Sequence, residues 1–446
     1  MAGHSMTGGS PWKHILGFSW PVFAGSVLQQ LYNTADSVIV GNFSGEKALS
    51  AVGTTNTLIF FFLAIAIGVS AGNGVLAAQH FGAGNMQELR RDAQTGILLM
   101  LLIGLLASVA GIVFSRWAYV QFVAVPPEIL DQTLLYFRIY CAGLLFQFGY
   151  NALAALLRSV GDSAATLYLL LLASLLNVGL DLLFVGLFKW SVAGAAAATN
   201  IAQAFCMAAA WIYMHKKYPV FRIRMTQMRW HPSIARDILR LGCPIALQLM
   251  IVAIGITFIQ RAVNGFGQVM TAAFAVGQRI EMYLHLPCNS LMTTLSAYTG
   301  QNVGACRMDR VKAGMLQGVM LSAGLTAVLS VPVWLLAEDL PGWFALSEQA
   351  AEYCTSYLKA AALVVMILSL YVPLFGVFQG TRHVLVPALV ALFALALRVA
   401  VTYLFKDSSF LGHTIIWWNG LFGFSLGCII SWIYFFSGRW RLNAGG

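Results

Sequence analysis

Asp36, Asn177, Asp181 and Thr199 are the residues of this chain best suited to chemistry, because each interrupts an otherwise apolar run. Asp36 lies within "QQLYNTADSVIVGNF". There Gln29, Asn33 and Asp36 fall at i, i+4 and i+7 with Tyr32 beside them, while Leu28, Leu31, Ala35 and Val38 occupy the other helix faces. "SLLNVGLD" carries a similar stripe, with Asn177 and Asp181 at i and i+4 and Ser174 one turn earlier. Thr199 and Asn200 follow on the next apolar segment. A charge at membrane depth costs a few kcal/mol or more and is rarely idle. Two carboxylates, an amide and a hydroxyl at one depth could form a proton or hard-cation site. Asn177 and Thr199 taken alone would serve equally as helix–helix hydrogen bonds. Asp36 and Asp181 together are expected to handle an ion and to titrate as a coupled pair.

The elements that must position these groups follow from composition. The chain has 446 residues, 59% of them hydrophobic and 9% charged, with mean hydropathy +0.77. Soluble domains carry about 25% charged residues. The apolar runs predict an all-α integral membrane protein with twelve transmembrane helices, near 14–40, 52–80, 93–117, 131–158, 164–187, 191–215, 236–263, 270–303, 312–337, 352–379, 383–405 and 415–437. With both termini on one side, that side holds seventeen Lys and Arg against four (Lys47, Arg116, Lys189, Lys406) on the other. Both termini are therefore expected in the cytoplasm, with the protein in the cytoplasmic (inner) membrane. Counting from Gly41, Lys189 and Trp190 at 1.5 Å per residue, Asp36, Asp181 and Thr199 all fall about 7–14 Å below the outer surface.

The chain also repeats itself. "AVG" at 51–53 recurs at 275–277, and "QHFGA" at 79–83 recurs as "QNVGA" at 301–305. Tyr136 and Tyr357 are 221 apart, and Pro21 and Pro244 are 223 apart. A near-constant shift predicts two six-helix bundles, an N-lobe (1–215, helices 1–6) and a C-lobe (236–446, helices 7–12), joined by a basic cytoplasmic linker over 216–235. Six is an even number, so the copies share orientation about a pseudo-two-fold along the membrane normal. Such bundles can rock about a central cavity, the architecture of alternating access.

Other classes are excluded or disfavoured. "GVSAG" (68–72) matches a nucleophile-elbow pattern but lies in an apolar helix, without the strand-turn-helix context or a triad. No HExxH and no phosphate-cradling Gly-Lys-Ser/Thr loop occurs, so no enzyme activity, no ATP hydrolysis, no structural metal and no cofactor is expected. The net charge of +10 is concentrated in one side's loops, and the basic 216–240 region is expected to meet anionic lipid rather than nucleic acid. The seven cysteines lack metal-ligand spacing and are expected as free, buried thiols. "MAGHSMTGGS" reads as a disordered lead, and nothing before Trp12 has the form of a cleaved signal peptide.

At these residues the sequence resembles the multidrug and toxic compound extrusion (MATE) family, along essentially the whole chain. The spacing of Pro21, Asp36, Asn177, Asp181 and Thr199 is similar to that of the DinF-like branch. The resemblance implies that Asp36, Asn177, Asp181 and Thr199 form an N-lobe network coupled to H⁺ or Na⁺, and that Pro21 marks a bend. Gln29, Tyr32 and Asn33 are further candidates for the cavity. The C-lobe departs from another branch, which places acids on helices seven and ten. Helix seven, "PIALQLMIVAIGITFIQ", has none, and Glu281 and Arg398 are the C-lobe candidates instead. Arg398 stands 221 after Asn177 and could face cargo or pair with Glu281. The expected function is cation-coupled antiport of small amphipathic organic compounds by a monomer embedded in membrane lipids. The alternatives are a lipid-linked precursor flippase of the same superfamily and a non-transporting receptor or scaffold.

Overall fold

The computed structural model describes residues 5–223, 228–344, 346–408 and 412–441, and among these the regular structure is helical with no β-strand. The first two crossings form one 72-residue helical stretch, Pro11–Gly82, interrupted at Gly45 (φ 83°, ψ 178°). Only glycine adopts that backbone without strain, so two helices meet there with no longer loop. The first helix thus runs past Gly41, where the sequence predicts its end, because no proline or other breaker intervenes before Gly45. The later crossings are Met86–Trp117, the pair Pro127–Ala142 and Leu144–Ser159, Ser163–Asp181, Ser191–Lys217, Pro232–Asn264, Gln268–Gly304, Met308–Leu335, Glu348–Gly380, Leu385–Phe405 and Thr414–Phe436. Among the described residues, nine helices are long and apolar enough to span a bilayer on their own, and the fourth crossing, bent by 45° between its two pieces, makes a tenth. Counting Pro11–Gly82 twice and adding the 37-residue Gln268–Gly304 gives the twelve expected.

Local signals fix the ends and bends. Asn85, Asp162 and Ser347 each cap a helix by accepting from the backbone N–H three residues on, at 3.2, 3.1 and 3.4 Å. The fourth crossing bends at Gly143. The Asn200 side chain occupies the space a Cβ would need there and donates to the Ile139 carbonyl at 2.5 Å. The fifth crossing widens into a π-turn, Leu182–Leu187, immediately after Asp181.

The chain divides into two compact units, one comprising Ala24–Ala246 and the other Met6–Phe23 with the chain from Leu247 onward. The first and seventh crossings each change unit in mid-helix, two residues after Pro21 and Pro244, and these points are 246 − 23 = 223 residues apart. In the first unit the second crossing packs backbone to backbone on the start of the seventh. A Cβ at Gly72 would stand 2.6 Å from the Ile238 carbonyl oxygen, and one at Gly68 would stand 2.4 Å from the Ala246 nitrogen. "GVSAG" is therefore a helix-packing face. At the linker end, Asp162 accepts from Tyr213, Lys217 and Tyr218 at 2.9, 2.9 and 2.6 Å, which ties the basic linker's first residues to the bundle. Arg224 of that linker lies outside the described residues, as do residues 1–4 of the lead.

The remainder of the lead is ordered in the second unit, contrary to the sequence expectation. Met6 is buried, its N–H donates to Gln301 Oε1 at 2.8 Å, and Arg310 donates to the carbonyls of Met6, Gly8 and Gly9 at 3.1, 2.9 and 2.7 Å. A guanidinium can satisfy several carbonyls at once, and composition analysis of a Gly-rich lead does not detect such a receptor. Cys243 and Cys306 also depart from expectation in being exposed, although all seven cysteines are free.

Arg310→Ala should lower stability by about 2 kcal/mol, because charged hydrogen bonds to three carbonyls of the lead are lost. Arg310→Lys should recover only part of this. An unchanged melting temperature in detergent for Arg310→Ala would show that the lead contributes nothing to the fold.

Candidate functional site

In the first unit the structure brings Asp36, Asn177, Asp181 and Thr199 together. Asp181, Asn177 and Thr199 are buried, and Asp36 is half-buried. The Asn177 amide, oriented to satisfy both neighbours, donates to Asp181 Oδ2 at 3.1 Å and accepts from the Thr199 backbone N–H at 3.2 Å. The Thr199 hydroxyl donates to the Ala195 carbonyl at 3.0 Å, within its own helix. The Asp36 carboxyl lies within hydrogen-bonding reach of Asp181. Two carboxyls can share a hydrogen bond only if one holds a proton. Among the described residues, the Oδ1 atoms of both acids are buried and accept no hydrogen bond. The donor set suits a proton or a hard cation, and the Asn177 bridge couples it to the fifth and sixth crossings.

Tyr136 and Tyr140 complete this site, and the sequence reading passed over their role. They stack at 6.2 Å between ring centroids, both are buried, and both lie close enough to Asp36 to interact with it electrostatically. Tyr140 donates to Gln147 Oε1 at 2.9 Å across the bend of the fourth crossing. Tyr32 stands near both carboxylates. The available signal was the i, i+4 tyrosine pair on an apolar helix. Gln29 and Asn33 are exposed, two turns and one turn before Asp36 along the helix, and Pro21 lies a further two turns back.

The second unit assembles Glu281 and Arg398 into a different cluster. Tyr357 donates its hydroxyl to Glu281, and His285 Nε2 lies 3.4 Å from the other carboxylate oxygen. Arg398 Nε donates to Asn419 Oδ1 at 2.7 Å, and its guanidinium lies 4.7 Å from the Phe424 ring centroid. Among the described residues no direct ion pair joins Arg398 to Glu281. The arginine is engaged by Asn419 and Phe424, while Glu281 accepts its hydrogen bond from Tyr357 with His285 close by. Two glycines make room for this arrangement. A Cβ at Gly277 would stand 2.2 Å from Tyr357 Cδ1, and one at Gly423 would stand 2.3 Å from Arg398 Cγ.

Twelve apolar crossings in a duplicated chain are those of a membrane transporter of the multidrug-efflux type. The chain belongs to the MatE family, whose model matches it twice, over residues 21–183 and 244–404, starts that are 223 apart. It is 27% identical to the probable multidrug resistance protein YpnP of Bacillus subtilis over 444 residues, covering 99% of this chain and 98% of that protein. It is 24% identical to the probable multidrug resistance protein NorM of Thermotoga maritima, covering 97% and 94%. Its fold matches a crystal structure of MATE in complex with MaL6 with a TM-score of 0.92, at 23% identity and with 100% and 99% coverage.

Gly53 and Gly277 are repeat counterparts, yet a Cβ at Gly53 would meet nothing within 4 Å. Gly277→Ala should therefore destabilise by about 1–3 kcal/mol through overpacking against Tyr357. Gly53→Ala should be neutral or stabilising by about 0.5–1 kcal/mol, as for a glycine in open helix. Thermal melts of the two variants decide this, and equal melting temperatures would contradict the close packing at Gly277.

Proposed function

We propose that this protein is a cation-coupled antiporter of the cytoplasmic membrane, exporting amphipathic organic compounds by alternating access as a monomer. H⁺ or Na⁺ enters at Asp36 and Asp181, with Asn177 and Thr199 orienting the acceptor oxygens. The supporting observation is the Asn177 bridge from Asp181 to Thr199, with Asp36 within reach of Asp181. Loading one carboxyl with a proton, or both with a sodium ion, changes which groups Asp181 can hold. That change passes through Asn177 to the sixth crossing and through Asp36 to the first, four turns along the helix from Pro21. The membrane potential adds about 2.3 kcal/mol per charge per 100 mV, so one or two ions support a substantial cargo gradient. The multidrug resistance names of the relatives support organic cargo.

The test is reconstitution in liposomes with imposed pH and sodium gradients, scored against cationic and anionic dyes. Asp36→Asn should keep the protein folded, since the amide retains the shape of a neutral acid, and should abolish gradient-driven export. Asp181→Asn should behave similarly. Export by Asp36→Asn at the wild-type rate, with unchanged pH and sodium dependence, would sink the coupling role.

Arg398 is proposed to meet cargo as well, because a guanidinium stays charged and its planar fork suits acidic groups. Arg398→Ala should shift the dye preference away from anionic and zwitterionic compounds. Loss of folded protein with an unchanged preference would make the residue structural.

A further inference from the structure

We propose that Arg279 binds cargo and selects organic anions, an acidic group carried on an apolar body, on the exposed face of Gln268–Gly304 in the second unit. Transport of such a cargo rests on the antiport reading, whereas its binding does not.

Arg279 stands eleven residues into Gln268–Gly304, about 16 Å along a helix about 55 Å long. A charge at such depth is costly in lipid. Arg279 is nonetheless exposed, and among the described residues it enters no hydrogen bond, ion pair or ring contact. Glu281 is the only carboxylate on this helix, and it turns the other way to accept from Tyr357. Arg398 is committed to Asn419 and Phe424. Arg279 is committed to nothing.

Beyond the first turn, the exposed positions of this helix are Ala272, Ala275, Arg279, Met282 and Asn289. Their spacing puts them on one face, while Phe274, Gly277, Leu284 and Cys288 are buried on the other side. That face does not have the composition of a lipid-facing one. Met308–Leu335 exposes Leu316, Met320, Val328, Val331 and Leu335, and Leu385–Phe405 exposes Leu385, Leu389, Phe393 and Leu404. The face of Gln268–Gly304 carries a guanidinium, an amide and small residues in their place, and a charge exposed at membrane depth opens onto water. The preceding helix, Pro232–Asn264, repeats the pattern near its end. Thr257, Arg261 and Asn264 are exposed there at i, i+4 and i+7, and Asn264 Oδ1 accepts from the Thr271 hydroxyl at 3.4 Å.

The positive charge is not a general feature of the repeat. At the 222-residue shift of the glutamine motif, Arg279, Met282 and Asn289 correspond to Thr57, Phe60 and Ile67, which are exposed and uncharged. On the first crossing the exposed polar residues Gln29, Asn33 and Ser37 are neutral as well. A planar guanidinium holds a carboxylate, sulfonate or phosphate through two parallel hydrogen bonds. Met282, nearly one turn on, offers an adaptable apolar surface for the body of the same molecule. A cationic cargo meets only repulsion from Arg279 and Arg261.

The experiment measures dye binding to the purified full-length protein in detergent by fluorescence anisotropy, with carboxyfluorescein as the anion and rhodamine 6G as the cation. Arg279→Gln should weaken carboxyfluorescein binding about tenfold or more, the size of one charged hydrogen bond. Its rhodamine 6G binding should stay unchanged or tighten. Arg279→Lys should fall between wild type and Arg279→Gln for carboxyfluorescein, since it keeps the charge and loses the fork. Equal carboxyfluorescein affinity in wild type and Arg279→Gln overturns the proposal, and so does an equal loss of both dyes. Should Arg279→Gln fail to fold, Arg279→Met removes the same charge and carries the same decision. Liposomes with imposed pH and sodium gradients separate this proposal from the antiport reading. If Arg279→Gln loses carboxyfluorescein binding but no gradient drives export of either dye by wild type, the antiport reading fails and the anion site stands. If a gradient drives rhodamine 6G export while carboxyfluorescein binding is indifferent to Arg279, the antiport reading stands and the anion site fails.

Discussion

A carboxylate removed from water must be answered by its neighbours, and that requirement governs where this chain places its few polar side chains. Asp181 has its answer from Asn177, which spends its amide nitrogen on the carboxylate and its oxygen on the Thr199 backbone. Glu281 has its answer from Tyr357 and His285. In each case the acid and its partners sit on different helices or on successive turns, so satisfying the charge also fixes how helices pack. The polar clusters are therefore a part of the fold.

Small residues make these arrangements sterically possible. Helices approach at Gly68, Gly72 and Gly242 to distances at which any side chain would collide with backbone. Elsewhere a glycine yields its volume to one particular side chain, as Gly143 does to Asn200, Gly277 to Tyr357 and Gly423 to Arg398. In lipid there is no hydrophobic gain from bringing helices together, so close packing of this kind carries much of the cohesion.

The fold was largely legible because twelve long apolar runs and a repeat near 221–224 are coarse signals that survive local irregularity. The first-unit site was legible for a related reason: Asp36, Asn177, Asp181 and Thr199 are rare residue types at matched depth. What escaped was set by tertiary contact. Tyr136, Tyr140 and Tyr357 look like ordinary aromatic residues of a membrane helix until a carboxylate is placed beside them. His285 sits one turn from Glu281, but helical spacing alone does not reveal that Tyr357 closes the cluster from another helix. The lead was misread because its order comes from Arg310 and Gln301, about 300 residues away, and not from its own composition. The end of the first helix was misplaced because Gly41 and Gly45 look alike in sequence, and only the second has a positive φ.

The mid-helix exchange of the first and seventh crossings has a consequence for biogenesis. The first unit extends to Ala246, so it cannot close when its sixth helix leaves the ribosome, and must wait for the first part of the seventh. The segment Met6–Phe23 is synthesised before the rest of its unit, which is built from the chain after Leu247, so it is among the last to find its partners. Translation order and assembly order therefore run opposite to one another at the amino terminus. A gene severed in the basic linker would yield two polypeptides, each lacking a half-helix that only the other can supply.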